Sequence, residues 1–291
     1  MVSAAGCSTL ATGPAQRNGL AAKLSPGGDA IKKIVFAGLL LAACAAHGAE
    51  DRFAGVAQSY LVKRDGRVVW AHAPQARMAP ASLAKMMTAL IVLERGNLAD
   101  VVTVSRAASR ETGSRIHLKA GDQLLVQDLL AATIVASAND ACRALADDVG
   151  ATDFVARMNQ RAAELKLAGT RFADPCGHDR PGQYSTAEDL ARLAEQVMQH
   201  PEYERLAGLR TASIRTIDGR RRFWLSNTNA LVGRYDGVIG VKTGTTWRAG
   251  NCVVALAEKG GVRVLVVLLN ARDRWFSAAS LLDRAFELRL Q

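Results

Sequence analysis

The chain has 291 residues, 49% of them hydrophobic, enough for a sizeable core in one large domain or two joined lobes. Its net charge is +10, yet no dense Lys/Arg run with interleaved aromatics occurs, which argues against a nucleic-acid binder. Aromatic residues make up only 5%, so Leu, Val and Ala must build most of the interior.

Residues 1–50 read as a leader. Lys32 and Lys33 form a basic flank before Ile34 to Ala43, an apolar run too short to span a bilayer. Leu41-Ala42-Ala43-Cys44 fits a lipoprotein box that would acylate Cys44, while Ala46-His47-Gly48 fits ordinary cleavage. Either route places the mature protein in the periplasm or cell envelope.

Tyr60 to His72 is expected to form a hairpin around Asp65-Gly66. Ser82 to Glu94, after Pro80 and before Gly96, predicts a helix. Helices are also expected over 126–136, 140–149 and 153–167. Ser185-Thr186-Ala187-Glu188 reads as a capping box opening another helix through Gln196. Val238 to Thr243, Cys252 to Leu256 and Val262 to Leu269 read as strands, the last two joined at Lys259-Gly260-Gly261. Phe276 to Leu290 predicts a helix on the sheet. The expected fold is α/β (α+β): a sheet from both chain ends, about 55–80 and 205–291, with a helical lobe, about 81–204, inserted between. Together these form one domain over 51–291. The boundary between the lobes is a natural place for a cleft.

Three short motifs fall on this frame. Ser82 and Lys85 share one helical face, and a serine hydroxyl needs such a neighbouring base to become a nucleophile. The amine serves only if burial or a nearby positive charge, such as Lys242, lowers its pKa. A helix start at Ser82 would leave its N–H free to face an oxyanion. Ser137-Ala138-Asn139 leads into Asp140, and by itself it is an ordinary capping segment. Lys242-Thr243-Gly244 is placed at a strand exit, where Lys242 and the Thr243 hydroxyl can hold a carboxylate. Gly244 would admit a substrate backbone, and the Thr245 N–H would complete an oxyanion hole with that of Ser82.

In this order the motifs resemble those of the serine-type D-alanyl-D-alanine carboxypeptidases, the low-molecular-mass penicillin-binding proteins. Gly121-Asp122, Tyr184 to Ala187, Asn227 to Leu231 and Gly240 to Gly244 share the likeness. It implies a penicillin-binding transpeptidase-like fold with Ser82 acylated, Lys85 as base and Ser137 as proton relay. Asn139 would orient Lys85 and substrate, and Lys242, Thr243 and Gly244 would bind the substrate's terminal carboxylate and backbone. The implied substrates are D-alanyl-D-alanine bonds of peptidoglycan stem peptides, with β-lactams as covalent inhibitors and no metal or organic cofactor. Two positions depart from the family: Ala138 replaces a usual Gly, and Thr245 a frequently larger residue. The chain ends soon after its last strand, as in the endopeptidase-type members.

Two other readings stand beside this one. A class A β-lactamase shares the first and third motifs, but its Glu-x-x-Leu-Asn motif does not occur between Ser137 and Lys242. A non-catalytic wall-peptide or penicillin receptor would have no need of Ser82 and Lys85. Cys142, Cys176 and Cys252 read as buried thiols, with one disulfide possible but unassigned by spacing. Cys176-Gly177-His178 has no second ligand pair at metal spacing. His72, His117, His178 and His200 read as surface or loop residues.

Overall fold

A computed structural model describes residues 53–150 and 152–288; the expected leader with Cys44, and positions 289–290 of the helix expected through Leu290, lie outside them. The chain opens with β1 (Ala57–Arg64) and β2 (Arg67–His72), joined by Asp65 and Gly66 at φ 49° and 78°. Two successive left-handed residues match the right-handed twist of a tight hairpin, which is why Asp-Gly marks it.

The helical part follows. It comprises α1 (Lys85–Arg95), β3 (Val101–Thr103), α2 (Arg106–Ser109), β4 (Gln123–Leu125), α3 (Val126–Ile134), α4 (Asn139–Gly150) and α5 (Phe154–Glu164). Then come α6 (Ala187–Val197), α7 (Pro201–Ala207), β5 (Thr211–Arg215) and β6 (Arg222–Ser226). The chain returns to the sheet with β7 (Val238–Thr246), β8 (Gly250–Lys259) and β9 (Val262–Ala271), and α8 (Arg274–Glu287) closes it. The main sheet is antiparallel in the order β2-β1-β9-β8-β7, so both chain ends build it and the helices are inserted between.

Both sheet faces are covered, which explains the unbroken apolar runs of β8 and β9. Val264, Val266 and Leu268 pack with Leu281 and Leu282 of α8. Their alternates Leu265, Val267 and Leu269 join the larger core around Met86, Met87 and Leu90 of α1. Burying one Leu or Val side chain contributes roughly 1.5–3 kcal/mol, so these two layers set the sheet's position. β7 is left at an edge, and its free side borders the start of α1.

The pairs β3–β4 and β5–β6 were not foreseen. Their strands are short, and in β6 only Phe223 and Leu225 turn inward while Arg222, Trp224 and Ser226 face out. The capping box is displaced by one residue. Thr186, not Ser185, caps α6 by accepting from Asp189 N, and the Asp189 carboxylate instead receives Gly169 N and Thr170 Oγ1.

Candidate active site

Pro80 leads into Ala81, whose φ of 49° turns the chain sharply. Residues Ala81–Ala84 then form a 3-10 turn ahead of α1, so Ser82 does not open the α-helix as the sequence suggested. The tighter turn nearly eclipses positions i and i+3. Lys85 Nζ accordingly lies 2.9 Å from Ser82 Oγ.

Lys85 is fully enclosed. Its Nζ also donates to Asn139 Oδ1 and to the Cys176 carbonyl, each at 2.6 Å. Burial lowers its pKa to about 7, against the opposing charges of Asp174, Glu111 and Asp140. Lys242, expected to help lower it, is itself displaced in the same direction. Burial first, then the charges of Lys85 and Arg274, push Lys242 well below the usual lysine range. A neutral Lys85 amine keeps two N–H bonds, to Asn139 and Cys176, and turns its lone pair on the Ser82 hydroxyl. That is the geometry of a general base on its nucleophile.

A second serine–lysine pair stands beside the first. Lys242 Nζ donates to Ser137 Oγ at 2.8 Å and to the Thr243 carbonyl at 3.1 Å. Ser137 takes φ 56°, so the left-handed residue of this turn is the serine, and Ala138 sits at an ordinary φ. Alanine there adds no backbone strain. Asn139 begins α4 and donates Nδ2 to the Thr112 carbonyl, while its backbone N–H meets Ser114 O. Asp140 lies in the first turn of α4, where its Oδ1 accepts from Ala141 N at 3.0 Å. Its carboxylate also receives the N–H groups of Ile116 and Leu118, tying that loop to the start of α4.

Lys242, Thr243 and Gly244 lie inside β7, which runs on to Thr246, rather than at its exit. A Cβ on Gly244 would meet Ala81 Cβ at 2.9 Å and Ser82 N at 3.1 Å. The glycine therefore makes room for the turn that carries Ser82, where a substrate backbone had been expected. Thr243 Oγ1 is 2.7 Å from Thr228 Oγ1, which orients it.

Arg274, at the start of α8, escaped the sequence reading. Its Nη1 reaches Gly244 O at 2.9 Å and Thr245 Oγ1 at 2.6 Å, placing a guanidinium at the end of the Lys242-Thr243-Gly244 motif. One arginine in an amphipathic helix gives no local signal. Only the packing of α8 on β8 and β9 brings it to β7.

The loop after α5 forms the remaining wall. Asp174 Oδ1 collects the N–H groups of Cys176, Gly177 and His178 at 2.8–3.1 Å. Cys142 and Cys176 form a disulfide, correcting the expectation of buried thiols; Cys252 alone of the three is free and buried. Pairing needs Cα atoms within about 7 Å, which sequence spacing cannot reveal. A bridged Cys176 also has no thiolate to offer a metal. His178 is half-buried, its Nε2 2.9 Å from Glu111 Oε2, and so spans two loops of the site rather than facing solvent alone.

Gly177 carries a specific expectation. At φ 89°, a Cβ would fall 2.0 Å from Ala81 O. Gly177→Ala should cost about 2–4 kcal/mol in denaturant unfolding and displace the Ser82 turn, slowing acylation as well.

Residues 49–273 match the family model described as D-alanyl-D-alanine carboxypeptidase. D-alanyl-D-alanine carboxypeptidase DacF of Bacillus subtilis is 35% identical over 237 residues, 78% of this chain. The chain spans 61% of that relative's length. The crystal structure of the Streptomyces K15 DD-transpeptidase superposes with a TM-score of 0.76 at 30% identity, over 80% of this chain and 98% of that one. Ampicillin-bound penicillin-binding protein D2 of Listeria monocytogenes gives a TM-score of 0.71 at 30% identity, over 79% and 98%. With the fold, the paired serine–lysine centres and the matched span in agreement, the chain belongs to the D-alanyl-D-alanine carboxypeptidase family.

Proposed function

We propose that this chain is an exported serine D,D-peptidase. It cleaves D-alanyl-D-alanine bonds of peptidoglycan stem peptides through an acyl-serine intermediate. The observation that carries this reading is the 2.9 Å contact between Ser82 Oγ and a buried Lys85 whose pKa is near 7. At neutral pH a large fraction of Lys85 is then an uncharged base already seated on the nucleophile.

In this reading the substrate lies along the free edge of β7, adding a strand to it. Lys242, Thr243 and Arg274 hold its terminal carboxylate. Lys85 takes the Ser82 proton as Oγ attacks the penultimate D-alanyl carbonyl. The oxyanion rests on the N–H groups of Ser82 and Thr245. The carbon–nitrogen bond breaks as the leaving amine gains a proton through Ser137 and Lys242. Asn139 keeps Lys85 aimed, and Gly244 keeps the Ser82 turn against the strand. The proton held by Lys85 replaces the one that Ser137 and Lys242 gave up, so that Lys85 is neutral again. Lys85 then takes a proton from the water that attacks the ester and returns it to Ser82 Oγ as the acid leaves.

β-Lactams would acylate Ser82 in place of substrate, a reading supported by the ampicillin-bound neighbour. Residues 51–291 serve as one peptidase domain behind a leader over 1–50, with Cys44 as a lipid anchor if the lipoprotein box is used. The Cys142–Cys176 disulfide supports an envelope location, since such bonds persist in oxidising compartments.

Carboxypeptidase and endopeptidase action share this acyl donor and differ only in the leaving amine. Digestion of purified muropeptides, followed by mass, tests both. Free D-alanine from monomeric pentapeptides is the carboxypeptidase result, and conversion of cross-linked dimers to monomers the endopeptidase result. Both should stop after penicillin treatment, and their absence from the untreated protein would sink the proposal.

A further inference from the structure

Lys85 is held from three sides, and two of those holds are joined covalently. Asn139 opens α4, and Cys142 lies one turn further along the same helix. Cys176 sits across from it in the loop after α5, and the disulfide links the two. Asn139 Oδ1 and the Cys176 carbonyl are the two 2.6 Å acceptors of Lys85 Nζ. The bridge thus closes a circuit from Lys85 through Asn139 and α4 to Cys142, across to Cys176, and back to Lys85.

We propose that the Cys142–Cys176 disulfide is a positioning element of the Ser82–Lys85 centre, holding both acceptors on the amine, and that its reduction slows acylation while the fold persists. The proposal rests on reading Ser82 and Lys85 as nucleophile and base.

The physical reason lies in how a lysine is aimed. Its stem is flexible, and its ammonium or amine has no preferred direction of its own. The lone pair faces Ser82 only while the two N–H bonds are occupied elsewhere. With the bridge cut, the Cys176 carbonyl depends on the Thr88 hydroxyl of α1 at the neighbouring Pro175 carbonyl, the Asp174 cluster of N–H bonds and the Gln183 contacts to its loop, none of which reaches α4. A displacement near 1 Å in a reacting pair can cost about 10²-fold in rate. The fold has independent support, because α4 and the sheet are anchored in the core without the sulfur link.

Loosening the loop also changes the electrostatics around Lys85. Asp174 faces it from this loop, Glu111 from the loop after α2, Asp140 from α4 and Lys242 from β7. Glu111 is itself held by His178 at 2.9 Å and approached by Arg143 at 3.7 Å, and Arg274 stands beyond Lys242. Burial is the largest influence on Lys85. Water entering the loosened loop relieves it, so the amine regains affinity for its proton and the acid limb of acylation moves to higher pH.

Reduction by a dithiol is balanced. One thiolate of the reagent attacks one bridge sulfur, forming a mixed disulfide and releasing the partner cysteine. The second thiolate then attacks the reagent's own sulfur and releases the cysteine first attacked. Two electrons and two protons reach the protein, and the reagent closes to a cyclic disulfide.

The test uses the purified full chain and a fluorescent penicillin. It compares oxidised protein, protein treated with dithiothreitol, and the Cys142→Ser/Cys176→Ser double variant, with near-ultraviolet circular dichroism reporting the fold. The expected result is a fall of about tenfold or more in the limiting acylation rate, with half-saturation changed less than about twofold. The acid limb should rise in the treated protein and in the double variant. Re-oxidation should restore the wild type, and dithiothreitol should leave the double variant unchanged. An unaltered rate and acid limb in both would reduce the bridge to a fold staple and overturn the proposal, as would loss of the near-ultraviolet signal on reduction. Lysine NMR titration supplies a readout apart from activity, with Lys85 assigned by its absence in Lys85→Met. If the oxidised protein is never acylated, the peptidase reading fails, while the Lys85 titration still decides whether the bridge sets its environment.

Discussion

Ser82→Ala should abolish covalent labelling by penicillin and reduce any D-alanine release by about 10⁴–10⁶-fold. No other hydroxyl can take over the attack. Ser137 Oγ accepts from Lys242 in a separate pair, and Lys85 is aimed at Ser82 alone among the serines. The fold should hold, because the substitution removes one partly exposed hydroxyl and leaves Lys85 with Asn139 and Cys176. Its stability should stay within about 1 kcal/mol of wild type. Non-covalent affinity for a D-alanyl-D-alanine peptide should also persist, since Lys242, Thr243 and Arg274 are untouched. Intact-mass measurement after penicillin, together with peptide titration, checks all three. Turnover at the wild-type rate would rule out an acyl-serine at this position.

Lys85→Met should slow acylation by about 10²–10⁴-fold, the usual contribution of a positioned general base. It should also remove a pH dependence. In the wild type, kcat/KM is expected to fall below about pH 7, as Lys85 gains its proton and loses the lone pair that faces Ser82. The residual activity of the methionine variant should lack that limb.

The same residue makes a stability prediction. The unfolded chain holds the Lys85 proton up to about 10.5, whereas the folded protein releases it near 7. Below pH 7 both states are protonated, and the folded state carries the full cost of a buried charge. Between about 7 and 10.5 the unfolded state binds more protons, so stability rises with pH. The gain is on the order of 5 kcal/mol at about 1.4 kcal/mol per pKa unit. Lys242, lowered for the same reason, adds a slope of the same sign. Denaturant melts at pH 6 and pH 10 should therefore show a strong gain in the wild type and a smaller one in Lys85→Met. Equal gains would mean that Lys85 is hydrated in the native state.

Parts of this site were legible because their signals are local. Serine and lysine three apart at a helix start must lie together, whether the turn is α or 3-10. Asp65-Gly66 and Gly260-Gly261 are turn residues that strands on either side cannot do without. Other parts were hidden because their signals are not local. Asp140 looked like a cap by type and position, yet beyond Ala141 of its own helix its carboxylate serves residues 116 and 118. Gly244 looked like a place for substrate, yet its missing Cβ is filled by the Ser82 turn.

By itself, the sequence determined which groups this protein brings to its candidate site: a serine with a lysine three residues on, two further motifs at Ser137 and Lys242, and a sheet contributed by both chain ends. Residue type and short spacing suffice for that, because hydroxyls, amines and turn glycines have fixed capacities. Only the tertiary structure decided the setting of Lys85 and the pairing of Ser137 with Lys242. The burial of Lys85, its acceptors on Asn139 and Cys176, the disulfide that joins those acceptors, and the arrival of Arg274 from α8 all depend on contacts across long stretches of chain. Desolvation and hydrogen-bond direction are properties of the packed site, and no spacing of residues along the chain encodes them.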